Sequence, residues 1–115
     1  MSVTIYHNPR CSKSRASLAI LEEHQVTSKI VEYLESPPDA DELKRLLAML
    51  GMSARELMRT GEAVYQTLGL ADSSHTEEEL VEIMVANPIL IERPIVVSGN
   101  KAVIGRPPEK IVDIL

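Results

Sequence analysis

The chain has 115 residues, 44% of them apolar and 25% charged, with a formal net charge of -5. That is the length of one ordinary domain with enough apolar side chains to build a core, which excludes a disordered chain. The acidic balance argues against nucleic acid as a partner, and the absence of any apolar run of membrane-spanning length argues against a membrane protein.

Taken in chain order, Val3-Thr4-Ile5-Tyr6 reads as a short strand ended by Asn8-Pro9. From Ser12 to about Glu23 the residues favour helix, with Ala16, Leu18, Ala19, Ile20 and Leu21 as the apolar surface and Lys13, Arg15 and Glu22 outside. Ile30 to Leu34 is a second strand, closed by Pro37-Pro38. A β-α-β opening of this kind is a right-handed crossover between parallel strands. Leu43, Leu46, Leu47 and Leu50 then recur at helical spacing, with Gly51 as the stop. Ser53 to Glu56 forms a capping box, Gly61 and Gly69 bracket a further short helix, and Thr76 to Glu79 forms a second capping box. That box introduces Leu80, Ile83 and Met84 on one helix face, and Asn87-Pro88 ends the helix. Ile95-Val96-Val97 and Ala102-Val103-Ile104 flank Gly99-Asn100, a hairpin signal. Neither run alternates, so both sheet faces are expected to be covered. Pro107-Pro108 starts a last helix, with Ile111, Ile114 and Leu115 inward. The order β-α-β, helices, β-β, α predicts a single α/β domain spanning residues 1–115. It is a four-stranded mixed sheet flanked by helices, of thioredoxin/glutaredoxin architecture, with a helical insert between the β-α-β unit and the hairpin.

The stretch His7-Asn8-Pro9-Arg10-Cys11-Ser12-Lys13-Ser14-Arg15 holds the chain's one cysteine. A single thiol makes no internal disulfide, and no signal-peptide pattern opens the chain, so a reducing cytoplasm is the expected location. Cys11 falls between the first strand and the first helix, where unpartnered backbone N–H groups carry partial positive charge. Such a site stabilises a thiolate and also holds an oxyanion, and the thiolate is the nucleophilic form. Arg10, Lys13 and Arg15 add cationic field. His7 contributes if it faces the sulfur; a satisfied strand-end histidine is the equal alternative. His24 and His75 show no partner in the pattern, and the five Met residues read as core filler.

Counting outward from a Gly99-Asn100 turn pairs Ser98 with Lys101 and Val97 with Ala102, and brings Arg93 opposite Arg106. Two like charges so placed cost about 0.2–1 kcal/mol. An anion between them removes that cost, and the planar guanidinium suits a tetrahedral oxyanion. The bland alternative is that both arginines point into water. Arg59, before Gly61, reads locally as a helix-end arginine complementing the dipole.

Taken together, YHNPRCSKSR, Arg59-Thr60-Gly61, Glu92-Arg93-Pro94-Ile95-Val96 and Ile104-Gly105-Arg106-Pro107 resemble the glutaredoxin-coupled arsenate reductase family, in the family's order and across essentially the whole chain. The resemblance implies that Cys11 is the nucleophile, that Arg59, Arg93 and Arg106 bind the oxyanion, that His7 helps to ionise the thiol, and that Pro94 follows a cis peptide bond. Ser14, which closes the C-x-x-S motif, joins the substrate-binding candidates. With no second cysteine the resolving thiol must come from outside, so the resemblance implies arsenate, glutathione and glutaredoxin as partners, glutathione as co-substrate and no bound cofactor or metal. The chain ends at Leu115 where well-known members continue, a departure bearing on substrate choice. Two other readings share the fold. Spx-type regulators bind RNA polymerase and commonly carry C-x-x-C, against which Ser14 counts; a monothiol glutathione-dependent oxidoreductase has no need of the arginines.

Overall fold

In the computed structural model, which describes residues 2–115, the chain forms two compact units. One comprises the residues through Ser36 together with Arg93–Leu115, and the other is Pro37–Glu92.

The first unit contains β1 (Val3–His7), α1 (Ser12–Glu23), β2 (Ser28–Glu32), β3 (Ile95–Ser98), β4 (Lys101–Ile104) and a closing 3-10 helix, Pro108–Ile114. Its sheet has the order β2-β1-β3-β4, with β1 parallel to β2 and antiparallel to β3, and β3 antiparallel to β4. This is the expected mixed sheet. The hairpin register also matches the count, since Ser98 pairs with Lys101 and Ile95 with Ile104. Gly99 turns the chain at φ 63, a conformation that costs glycine little. Val3, Ile5, Leu21, Val96 and Ile111 form the core of the unit, with Leu18, Val26 and Val103 packed against it.

Several local expectations are corrected. The second strand is Ser28–Glu32 rather than 30–34, because its length is set by pairing with β1, Val3 opposite Ser28 and His7 opposite Glu32. As an edge strand it carries Ser28, Lys29 and an exposed Ile30. The buried stripe of α1 is Ser14, Ser17 and Leu21, while Ala16 and Ala19 face outward. Small polar residues let this helix approach its neighbours closely, and that close approach outweighs apolar pattern. β4 is the other edge, with Ala102, Val103 and Ile104 only half-buried, so the hairpin's second strand is not covered on both faces. The closing helix buries Ile111 completely but leaves Leu115 exposed at 40%.

The second unit contains α2 (Ala40–Leu50), α3 (Ala54–Leu57), α4 (Ala63–Thr67) and α5 (Glu77–Ala86). Leu43, Leu46 and Leu47 of α2 are buried as the spacing requires, and Gly51 ends the helix at φ 67. Both predicted capping boxes form, Ser53 with Glu56 and Thr76 with Glu79. Behind the second, Leu80, Val81 and Met84 are buried, and Ile83 is half-buried rather than central to the face. Thr76→Ala removes the acceptor of the Glu79 N–H and is expected to destabilise the protein by about 1 kcal/mol. A urea midpoint shifted down in Thr76→Ala and unchanged in Thr76→Ser is the check.

Candidate active site

β1 ends at His7, and the chain must turn before α1 begins at Ser12. Asn8 makes the turn: its carbonyl accepts from the Cys11 N–H at 3.0 Å and its side-chain Oδ1 accepts from the Arg10 N–H at 3.0 Å. Cys11 is thereby set at the N-cap of α1 with extended backbone, φ -95 and ψ 123, and its carbonyl accepts the first helical bond from Arg15 N–H. Its side chain caps nothing. No acidic residue stands in the first turn of α1, so nothing there neutralises the positive end of the helix dipole. The thiol is free and buried, 7% exposed.

Ser14 lies one turn into α1 and is fully buried. Its Oγ accepts from the Asn8 N–H at 3.0 Å and stands 2.6 Å from His7 Nδ1. With the Asn8 amide donating to it, the serine proton is available to Nδ1 of a neutral imidazole. Burial holds the His7 imidazole below its ordinary value of 6.5, against the opposing pull of Glu32, which faces it across the β1–β2 pair; Arg15 adds a smaller downward push. His7 and Ser14 therefore tie the end of β1 to the first turn of α1.

The native state thus binds the His7 proton less readily than the unfolded chain. The stability this group contributes is complete above the unfolded value near 6.5 and is lost as pH falls through it toward the lower folded value. His7→Gln is expected to flatten the fall in urea midpoint between about pH 7.5 and 5. An identical fall in wild type and variant would assign the acid sensitivity to other groups.

Among the basic residues, Arg15 donates from Nη1 to the Pro9 carbonyl at 2.8 Å, bracing the loop, while Arg10 and Lys13 are exposed. The cation that reaches the sulfur is Arg106, whose Nη2 lies 3.5 Å from Cys11 Sγ, 95 residues away in sequence. Its Nε donates to the Arg93 carbonyl at 2.7 Å, which fixes the guanidinium plane. The hairpin thus brings Arg93 and Arg106 together as its register predicts, and both are half-buried. The Arg93–Pro94 bond is cis, as the resemblance implied, and so is Arg106–Pro107, which no sequence signal indicated.

Arg59 belongs to the helical unit. The bridge between Met58 and Ile91 holds its backbone, and its amide donates to the Leu90 carbonyl at 2.7 Å. Its guanidinium pairs with Glu62 at 2.7 Å and stands 3.6 Å from Glu92. It is therefore not simply a solvated helix-end arginine. Sequence reading does not pair Arg59 with Glu62 or Glu92, although the i, i+3 spacing of Arg59 and Glu62 is a visible signal. His75 also has a partner, the Gly69 carbonyl at 3.2 Å from Nε2, where the pattern suggested none.

A parallel β-α-β unit joined to an antiparallel hairpin, with a cysteine at the N-cap of α1 and a cis-proline opening β3, defines a thioredoxin-like protein. The comparisons narrow this class. The model of the ArsC family matches residues 6–114, and the chain belongs to that family. Over 114 residues it is 59% identical to the uncharacterized protein YfgD of Escherichia coli (strain K12), covering 98% of this chain and 96% of that one. It is 45% identical over 114 residues to an arsenate reductase of Neisseria meningitidis serogroup A, covering 98% and 97% respectively. The solved structure of an arsenate reductase from Vibrio cholerae superposes with a TM-score of 0.97 at 48% identity, covering all of this chain and 98% of the other.

Proposed function

We propose that this protein reduces arsenate to arsenite, with Cys11 as nucleophile and with electrons drawn from glutathione and a glutaredoxin in a reducing cytoplasm. The observation that carries the reading is the guanidinium of Arg106 at 3.5 Å from a lone sulfur seated at a helix N-terminus. An ionised sulfur and a tetrahedral anion are both served by that field. Relatives bearing the name arsenate reductase support the choice of oxyanion.

In the proposed sequence the arsenate oxyanion lies against the first amides of α1 and the guanidiniums of Arg93 and Arg106, with Arg59 assigned to the same task by family resemblance. The Cys11 thiolate attacks arsenic, and one hydroxyl takes up a proton and leaves as water. Glutathione adds its sulfur to arsenic with loss of a second water. A glutaredoxin thiolate then attacks the glutathione sulfur; the sulfur–arsenic bond breaks, its electron pair stays on arsenic, and As(V) becomes As(III). The products are a glutaredoxin–glutathione disulfide and an arsenite still bonded to Cys11, which water hydrolyses to release arsenite and regenerate the thiol. Ser14 and His7 serve by holding the loop that presents the sulfur. The C-x-x-S sequence provides no internal resolving thiol, so the disulfide forms on the partner.

The test is arsenate-dependent oxidation of glutathione, coupled through glutaredoxin and glutathione reductase. Turnover that requires arsenate, glutathione and glutaredoxin together supports the proposal. Disulfide exchange that proceeds equally well without arsenate, and is indifferent to Arg93→Ala, would overturn it in favour of a monothiol oxidoreductase. Arg93→Ala is expected to raise KM for arsenate roughly tenfold, as for loss of one charge-assisted contact to the anion.

A further inference from the structure

Arg106 meets Cys11 where the chain leaving β4 comes close to α1, and the residue before Arg106 is a buried glycine. Gly105 is not required by backbone conformation, since its φ lies outside the left-handed region where Gly51, Gly69 and Gly99 are found. It is required by space. A Cβ on Gly105 would collide with Ser17 Oγ, stand 2.9 Å from Pro94 Cγ and touch Ile111 at 3.4 Å. Ser17 is the middle residue of the serine-bearing stripe of α1, six residues after Cys11 and completely buried, and its hydroxyl makes no hydrogen bond among the described residues. An unpaired buried hydroxyl is a cost, so its place needs a reason. It fills the volume that the missing Cβ leaves. The strand end is tied to the start of β3, where the Gly105 N–H donates to the Pro94 carbonyl at 3.0 Å, and it turns locally as the Arg106 N–H donates to the Ile104 carbonyl at 2.8 Å.

We propose that the Ser17–Gly105 contact is the positioning seat of the site: it sets how near the Arg106 guanidinium comes to the Cys11 sulfur, and Ser17 and Gly105 are positioning residues that touch neither sulfur nor substrate. The contact joins the helix that carries the nucleophile directly to the residue preceding the cation. A single methyl added there wedges β4 from α1 and carries Arg106 away from the sulfur. A displacement of about 1 Å is enough to weaken a preorganised contact severely. The inference rests on Arg106 acting at the sulfur, as in the proposed function, but its test does not depend on arsenate turnover.

The test compares alkylation of Cys11 by iodoacetate, which is anionic, with alkylation by iodoacetamide, which is neutral; in each case the thiolate displaces iodide. A guanidinium beside the sulfur favours the anionic reagent, so the ratio of the two rates reports its proximity, whereas general loosening raises both rates alike. Arg106→Ala is expected to lower the ratio about fivefold, as for losing one unit charge within a few ångströms in a water-like dielectric. Gly105→Ala is expected to lower it about as far, with helix content retained by circular dichroism. Adding Ser17→Gly to Gly105→Ala removes the colliding oxygen, leaves the contact with Pro94 in place, and is expected to restore part of the lost ratio. Should Gly105→Ala fail to fold, Ser17→Thr adds one methyl to the same contact and must lower the ratio instead. If Arg106→Ala lowers the ratio while folded Gly105→Ala leaves it unchanged, or if Ser17→Gly restores nothing, the seat is overturned. If Arg106→Ala itself leaves the ratio at the wild-type value, the role of Arg106 at the sulfur falls and the seat falls with it.

Discussion

Cys11→Ser is expected to lower arsenate turnover by roughly a thousandfold or more, the scale seen when a nucleophile is removed from an enzyme that forms a covalent intermediate. The same substitution is expected to leave the protein at least as stable as wild type. Cys11 occupies the N-cap of α1 in extended geometry, and its sulfur accepts no hydrogen bond from the helix amides. Serine is among the preferred N-cap residues, and its Oγ can accept from the N–H of the second or third helical residue, Lys13 or Ser14. A gain of about 0.5–1 kcal/mol from that cap offsets the small loss of apolar burial at a site that is 7% exposed. The paired outcome, activity abolished and melting temperature equal or raised, separates a chemical role for the thiol from a packing role. A variant that melts lower while keeping more than a few per cent of turnover would identify Cys11 as a structural residue.

The second large effect is expected at Arg106. Its guanidinium spans the Arg93 carbonyl and the Cys11 sulfur, so it both orients the hairpin end and places a positive charge beside the sulfur proposed as nucleophile. Arg106→Ala is expected to lower kcat/KM for arsenate by about 10²–10³-fold, the loss measured when one preorganised donor is taken from an oxyanion site. Arg106→Lys is expected to recover only a small part of this, because one ammonium on a flexible stem cannot donate to the carbonyl and the sulfur at once in the same fixed plane. Steady-state kinetics of the three proteins decide the matter. A loss of less than about threefold in Arg106→Ala, or full activity in Arg106→Lys, would show that charge near the sulfur is supplied elsewhere.

Much of the molecule could be read from local pattern. The two capping boxes form at Ser53 and Thr76, Gly51 stops α2, and the Gly99-Asn100 turn sets the hairpin register. Each of these depends on a few consecutive residues, and the physics is local. The opposition of Arg93 and Arg106 also follows, since in an antiparallel hairpin the turn dictates every pair beyond it. The errors lie where distant segments decide. Apolar pattern suggested Ala16 and Ala19 for the buried side of α1, but the helix turns Ser14 and Ser17 inward, one to hold His7 and the Asn8 amide, the other to meet Gly105. The limits of β2 follow its pairing partner rather than its own apolar residues.

Sequence alone was sufficient for the order of elements, the hairpin register and the seat of the single thiol at the mouth of a helix, because turns, caps and side-chain periodicity act over a handful of neighbouring residues. Only the tertiary structure chose which of several nearby cations meets the sulfur. Arg10, Lys13 and Arg15 flank it in sequence, yet α1 and its loop direct the first two into solvent and the third to the Pro9 carbonyl. The cation that arrives comes from the far end of the chain, delivered by sheet pairing and by a glycine that lets two backbones close together.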